Sequence, residues 1–208
     1  MKNLGEATYI LGIKIYRDRS RLLIGLSQST YIYKVLKRFQ MENSKKGLLP
    51  MSHGAVLCKS QCPHTTGEHV EMSNVPFALT IGSVMYAMIC TRPDVSYTLS
   101  ICSKYQSNPG MIHWAAVKNI LKYVKRTTDL FLGDDEELVV KGYTHVSFMT
   151  DPDDLKSQSA YVFTLNGGAM SWKSSKQIRS RILQQKRSIS QLSKLRRRDI
   201  GLRSSSLN

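Results

Sequence analysis

The sequence is short of acids, short of cysteine and without a long apolar run, and each shortage excludes something. Its 208 residues carry 30 Lys and Arg against 15 Asp and Glu, a formal net charge of +15 at pH 7. A surplus of that size points to a polyanionic partner such as RNA or DNA. No small-molecule substrate is expected. The longest apolar stretch, Phe77 to Cys90, falls short of the roughly 20 residues a spanning helix needs, so no membrane partner is expected either. Met1 to Glu6 lacks the apolar segment of a secretory signal. Cys58, Cys62, Cys90 and Cys102 then fit free thiols in a reducing intracellular home, cytoplasm or nucleus. Hydrophobic content is 41% and charged content 22%, values ordinary for a soluble chain long enough for one or two cored domains.

One group of soft ligands stands out: His53, Cys58, Cys62, His64 and His69. The C-x3-C spacing matches no standard zinc finger, and the stretch is rich in Ser, Thr and Gly, so it reads as loop. The charge is also uneven. Residues 178–208 hold nine Lys or Arg and a single acid, Asp199, which leaves the rest of the chain only mildly basic.

The hydrophobic pattern predicts strands first. Residues 7–16 are β-rich, Leu22 to Leu26 form a second apolar run, and Arg17 to Ser20 read as the turn between them. A helix is predicted from Gln28, with Tyr31, Val35, Leu36 and Phe39 on one side and Lys34, Lys37 and Arg38 on the other. Ser44 to Gly67 reads as loop. Pro76 opens a long apolar helix through Ile89, in which Ala78, Gly82 and Ser83 allow close packing. Arg92-Pro93-Asp94 breaks it, and Pro93 suits the first turn of a helix running to about Tyr105. After a turn at Asn108-Pro109-Gly110, His113 to Arg126 is predicted helical. Trp114, Val117, Ile120, Leu121 and Val124 form its apolar stripe. Its Lys118, Lys122 and Lys125 are either a solvated face or one that tracks phosphates. Glu137 to Phe148, Ser159 to Leu165 and Ala169 to Ser174 read as strands, with Asn166-Gly167-Gly168 as a hairpin signal. Strand alternation stops after Gln177.

Five blocks in order resemble one family. They are MKNLGEATYILGIKI, GLSQSTYIYKVLKRF, IGSVMYAMICTRPDVSYTLS, HWAAVKNILKYVKRT and GYTHVSFMTDPDDLKSQSAYVFTLNGGAMSWKSSKQ. Together they resemble the reverse transcriptase and ribonuclease H part of copia-type retrotransposon Pol polyproteins, over residues 1–177. The resemblance implies an α+β chain. Residues 1–26 would be the end of the polymerase palm, a terminal hairpin. Residues 27–108 would be a thumb-like helical region and 109–135 a connection helix. Residues 136–177 would be a truncated three-stranded ribonuclease H-like sheet, and 178–208 an irregular basic tail.

The same resemblance bears on catalysis. The intact family uses Mg²⁺. Its polymerase carboxylates lie in a Tyr-x-Asp-Asp loop, which these residues do not contain; Gly133-Asp134-Asp135-Glu136-Glu137 lacks the strand–turn–strand context. The family's first ribonuclease H strand reads Gly-Tyr-Thr-Asp-Ala-Ser, whereas this chain reads Gly142-Tyr143-Thr144-His145-Val146-Ser147. His145 therefore sits at the position of the first metal-binding Asp. Mg²⁺ prefers oxygen, and a neutral imidazole supplies neither negative charge nor two bridging oxygens. A softer metal on His145 is the alternative. Asp151, Asp153 and Asp154 match an exposed hairpin and read as solvated turn residues. The expected outcome is a chain with no intact catalytic site, no metal and no cofactor. Its nucleic-acid-binding candidates are Lys34, Lys37, Arg38, Lys118, Lys122 and Lys125.

The tail has its own reading. One synonymous coding of Ile178 to Leu192, read one base out of phase, translates as D-T-V-A-D-S-T-T-E-A-E-Y-I-A-A, the family's next segment. The basic run then reads as a frameshifted remnant, expected to be disordered, though its charge would still attract phosphate. A three-stranded sheet without its helices would also leave Val162, Phe163, Leu165 and Trp172 on an open apolar face. Poor solubility is expected to follow.

Overall fold

The computed structural model describes residues 7–20, 23–128, 140–147, 150–165 and 168–177. The architecture is α+β, with two three-stranded antiparallel sheets and a helical core. Predictions that fall on the residues around Glu137, on Asn166-Gly167 and on the basic tail at 178–208 lie outside the described residues.

The first predicted strand is two strands. β1 (Tyr9–Ile10) turns at Leu11-Gly12 into β2 (Ile13–Asp18), with Ile10 opposite Ile13. Both turn residues have positive φ, 50° at Leu11 and 78° at Gly12. A two-residue hairpin of type I′ has that conformation at both positions, and only Gly adopts it without steric cost. Leu11 accepts it where its carbonyl receives the Tyr86 hydroxyl at 2.7 Å. β3 (Leu23–Ser27) completes this sheet, pairing Lys14 with Ser27 and Asp18 with Leu23.

The core is helical. α1 (Ser29–Arg38) buries Ile32, Val35 and Leu36. After a short α2 (Thr66–Ser73), α3 (Phe77–Thr91) buries Phe77, Ile81 and Val84. A 3-10 turn at Pro93–Val95 leads into α4 (Ser96–Cys102), and α5 (Met111–Arg126) buries Val117, Ile120, Leu121 and Val124. These side chains form one cluster, which is where the apolar stripes predicted from helical spacing converge. None of the described helices alone is long and apolar enough to cross a membrane.

α2 begins at the end of the stretch Ser44 to Gly67 read as loop and overlaps it only at Thr66 and Gly67. Its start is a reciprocal cap: Thr65 Oγ1 accepts from the Glu68 N–H at 3.3 Å, and Glu68 Oε2 accepts from the Thr65 N–H at 3.1 Å. Thr65-x-x-Glu68 is a readable capping signature in the sequence. A further 3-10 turn occupies Lys59–Gln61.

The break at Arg92 is also a tether. Arg92 is 1% exposed, pairs with Asp94 at 2.7 Å and donates to the Thr127 carbonyl at 3.2 Å. The junction of α3 and α4 is thereby tied to the end of α5, and a buried guanidinium is tolerated because its donors are engaged.

The second sheet comprises β4 (Val140–Ser147), β5 (Gln158–Leu165) and β6 (Gly168–Lys176), in that order. Gly142 is required by packing: a Cβ there would meet the Phe163 ring at 2.8 Å. The expectation that this sheet leaves Trp172 on an open face is corrected. Trp172 is half-buried against α3, where its indole N–H donates to the Met88 carbonyl at 3.0 Å.

Candidate functional site

In β4, His145 pairs with Ala160 of β5, which pairs with Ser174 of β6. Paired residues of antiparallel strands share a face. His145 thus lies on the side of the sheet that also carries Gln158 and Trp172, on the strand farthest from the helices those residues contact. Its side chain is exposed.

Asp151 is not a solvated turn residue, which corrects the sequence reading for it; Asp153 is half-buried and Asp154 is exposed. Asp151 is 5% exposed; its Oδ2 receives Lys104 Nζ at 2.6 Å and Lys176 Nζ at 2.8 Å. Burial alone would raise its carboxyl. Hydrogen bonds from both lysines and from the Asp153 N–H outweigh that and hold it well below the usual carboxylate range. Asp154 pairs with Lys176 at 2.7 Å and Lys156 at 3.3 Å. Asp153 Oδ1 accepts from the Lys59 N–H at 2.8 Å, and its Oδ2 lies 3.0 Å from the Tyr105 hydroxyl. Asp151 and Asp153 therefore clamp the loop between β4 and β5 onto the helical core, while Asp154 ties it to β6. The misreading of Asp151 has a physical cause: sequence shows a cluster of acids, but the lysines that meet Asp151 lie 47 and 25 positions away.

A second polar junction lies beneath the clamp. His113 is 0% exposed, accepts from the Gly110 N–H at Nδ1 (2.9 Å) and therefore donates from Nε2 to the Cys58 carbonyl (3.2 Å). Its ring stacks on Tyr105, with centroids 4.1 Å apart. Burial pushes its pKa down, which keeps the neutral tautomer this geometry needs. Burial, followed by the Asp153 contact, pushes the Tyr105 hydroxyl up. Sequence placed His113 only as a helix start. A side chain that reaches back to its own cap at Gly110 is a local signal, but its partner at Cys58 is not.

Two members of the soft-ligand group, Cys58 and His64, make other contacts. Cys58 Sγ lies 2.9 Å from Ser60 Oγ, and His64 Nε2 lies 3.3 Å from the Ser60 carbonyl. Among the described residues, no group of three or more His, Cys, Asp or Glu is placed to hold a metal. A pair of hard divalent cations does not fit the described donors around β4. The His145 position offers nitrogen, and the Asp151 carboxylate is already neutralised by two lysines.

The basic candidates divide into two kinds. Lys34, Lys37 and Arg38 are exposed on α1, opposite its buried stripe. Lys118, Lys122 and Lys125 on α5 are half-buried. Lys125 Nζ donates to the Ser44 carbonyl, the Gly47 N–H donates to the Lys122 carbonyl at 2.9 Å, and Lys118 lies over the Trp114 ring. Loop 44–47 therefore covers part of the α5 face, so it is neither fully solvated nor wholly free for phosphates.

The chain is 44% identical over 175 residues to the retrovirus-related Pol polyprotein from transposon TNT 1-94 of Nicotiana tabacum, covering 84% of this chain and 13% of that one. It is 31% identical over 182 residues to the polyprotein from transposon RE2 of Arabidopsis thaliana, covering 85% of this chain and 12% of that one. This chain belongs to the copia-type retrotransposon Pol polyproteins. It spans only about an eighth of the length of these two copia-type relatives. It is also 37% identical over 108 residues to the secreted RxLR effector protein 161 of Plasmopara viticola, covering 51% of this chain and 76% of that one. No family model matches, and no solved structure matches. Within this copia-type Pol segment, the feature that sequence reasoning missed is thus the polar seam through Asp151, Asp153, Tyr105 and His113.

Proposed function

We propose that this segment derives from the reverse transcriptase and ribonuclease H part of a copia-type Pol polyprotein and is itself non-catalytic. In this reading, residues 1–26 are the end of the palm, 27–108 the thumb and 109–135 the connection. Residues 136–177 open the ribonuclease H sheet, and 178–208 are its frameshifted continuation. The parent activity is RNA-directed DNA synthesis with hydrolysis of RNA in RNA–DNA hybrids, by Mg²⁺-dependent phosphoryl transfer.

One observation carries the reading: the strand position that resembles the family's first metal ligand is His145, while the acids nearest in sequence neutralise lysines. Two-metal catalysis needs carboxylate oxygens bridging ions about 4 Å apart. An imidazole on an exposed strand and a lysine-paired carboxylate supply no such bridge. The test is incubation of the purified chain with an RNA–DNA hybrid and Mg²⁺ or Mn²⁺. The expected result is no cleavage above background, with or without His145→Asp. Cleavage that stops on addition of chelator overturns the proposal.

A second reading is a non-catalytic nucleic-acid-binding module. The observation favouring it is the exposed cationic row Lys34, Lys37 and Arg38 on α1. Binding to duplex RNA is measured against salt, for the full chain and for a chain lacking 178–208. A slope retained after truncation and reduced by Lys34→Ala/Lys37→Ala/Arg38→Ala assigns the contacts to α1. A slope that vanishes on truncation assigns them to the tail.

A further inference from the structure

His113 is the one buried histidine of five; His53, His64, His69 and His145 are exposed. Its neighbours hold the ring in a single protonation state. Nδ1 accepts from the Gly110 N–H, so that nitrogen carries no proton, and Nε2 donates to the Cys58 carbonyl. A proton added at Nδ1 would set one N–H against another across 2.9 Å. It would also place positive charge at the N-terminus of α5, where the helix dipole is positive and the first turn carries no acid. The imidazolium therefore cannot keep the Gly110 contact.

The ring joins several parts of the fold. Segment 57–62 lies so close to the start of α5 that a Cβ at Gly110 would overlap the Gln61 carbonyl oxygen. In the same segment the Leu57 carbonyl receives the Tyr105 hydroxyl, and the Lys59 N–H reaches Asp153 Oδ1, each at 2.8 Å. Tyr105 stacks on His113, and Asp153 belongs to the loop between β4 and β5. The segment is thus held between His113 and that loop. Alone it is a light element: a single 3-10 turn closed by Gln61 N–H to the Cys58 carbonyl and Cys62 N–H to the Lys59 carbonyl. Leu57 is its only buried aliphatic side chain. Short elements with few buried apolar contacts open before the global fold does.

The charges nearby separate this junction from the Asp151 clamp. The titratable groups on the elements packed around the ring are Cys58, Lys59 and Cys62 on the segment, Lys104 and Tyr105 after α4, and Asp153 on the loop. Asp153 favours the imidazolium, but its oxygens already receive the Lys59 N–H and the Tyr105 hydroxyl. Burial acts the other way and more strongly. The closed arrangement is therefore favoured above about pH 6.5 and loses that advantage as pH falls below it. Asp151 stays ionised in that range, between Lys104 and Lys176. His64 keeps its bond on protonation, because its Nε2 donates to the Ser60 carbonyl. We propose that His113 is a pH-sensitive latch: its protonation releases segment 57–62, and with it the Asp153 end of the β4–β5 loop, while Asp151 keeps the sheet on the helices. The latch stands whether or not the chain cleaves or binds RNA.

The test follows the full chain by NMR between pH 7 and 5, reading the His113 ring shifts together with amide exchange corrected for its intrinsic pH dependence. Protection of the Gln61, Cys62 and Gly110 amides should fall about tenfold, with a midpoint that matches the His113 titration. Amides of β5, β6 and the middle of α5 should keep their protection. His113→Gln cannot titrate yet carries an amide that can reach a donor and an acceptor, so its 61, 62 and 110 amides should lose the pH response. Agreement of the two midpoints in the parent chain decides the matter even if that variant fails to fold. Protection at 58–62 that holds to pH 5, a loss whose midpoint departs from the His113 titration, simultaneous loss in β5 and β6, or an unchanged pH response in a folded His113→Gln chain would each overturn the proposal.

Discussion

In the helical unit Ile81, Val117, Ile120 and Leu121 are 0% exposed, whereas the described residues of the β4–β6 sheet include no fully buried aliphatic or aromatic side chain. The two regions hold together by different physics. Helices α1, α3, α4 and α5 share one apolar cluster, whose stabilisation scales with area removed from water. The sheet is joined to that cluster by directed polar contacts: Asp151 between Lys104 and Lys176, Asp153 beside Tyr105, Gln158 on Ser100, and Trp172 on Met88. Apolar burial tolerates small shifts, while hydrogen bonds and ion pairs fix register but weaken when a single partner changes. The sheet should therefore be separable from the helices by a point change, and the helices should not.

The sharpest way to break this contrast is a cavity in each region. Ile120→Ala should lower the unfolding free energy by about 3–4 kcal/mol and should expose the amides of α1, α3 and α5 together in hydrogen exchange. An effect confined to α5 would mean that the helices do not share a core. Next in size is Asp151→Asn, which removes the negative charge shared by two lysine ammonium groups and leaves Lys176 with Asp154 alone. A loss of about 2 kcal/mol is expected, reduced from the buried-pair value because both lysines are partly solvated. Exchange should quicken in β5 and β6 while α5 stays protected.

Acid should act on the same seam. The folded pKa of Asp151 lies below its ordinary value of 3.8, so its contribution is complete above that pH and fades as pH falls toward the folded value. Denaturation curves of the parent and of Asp151→Asn should then converge in strong acid. His113 has the same sign for a different reason. Burial lowers its pKa from 6.5, so the unfolded chain takes up the proton first and stability declines as pH drops below about 6.5. His113→Asn should cost stability at neutral pH yet flatten that slope, read from denaturant midpoints between pH 7 and 5. The smallest effect is expected from His145→Asp. An exposed position on β4 should change stability by within about 0.5 kcal/mol. A larger change would mean that β4 has a packing partner on that face.

Sequence made most of the helical unit legible because periodicity reports burial directly. Val117, Ile120, Leu121 and Val124 recur at helical spacing, and all four are buried. Tyr31 and Phe39, read on the same basis for α1, are only half-buried, while Ile32, between them, is 2% exposed. The turn at Leu11-Gly12 was hidden because Leu11 interrupts no hydrophobic pattern and carries no preference for positive φ. The candidate site was legible only in part. His145 stands out against the family strand, but Asp151 read as a surface acid because nothing local marks a carboxylate for burial.

Residue order alone settled where the core helices form, that β4 carries an imidazole at position 145, and that the chain belongs with copia-type Pol polyproteins; such features depend on neighbours a few positions apart. Tertiary structure decided which charges are spent. Asp151 meets Lys104 and Lys176, and Tyr105 meets Asp153, across 25 to 48 positions of chain. Those pairings arise only when the sheet docks on the helices, because the electrostatic environment of a side chain is set by what surrounds it in space.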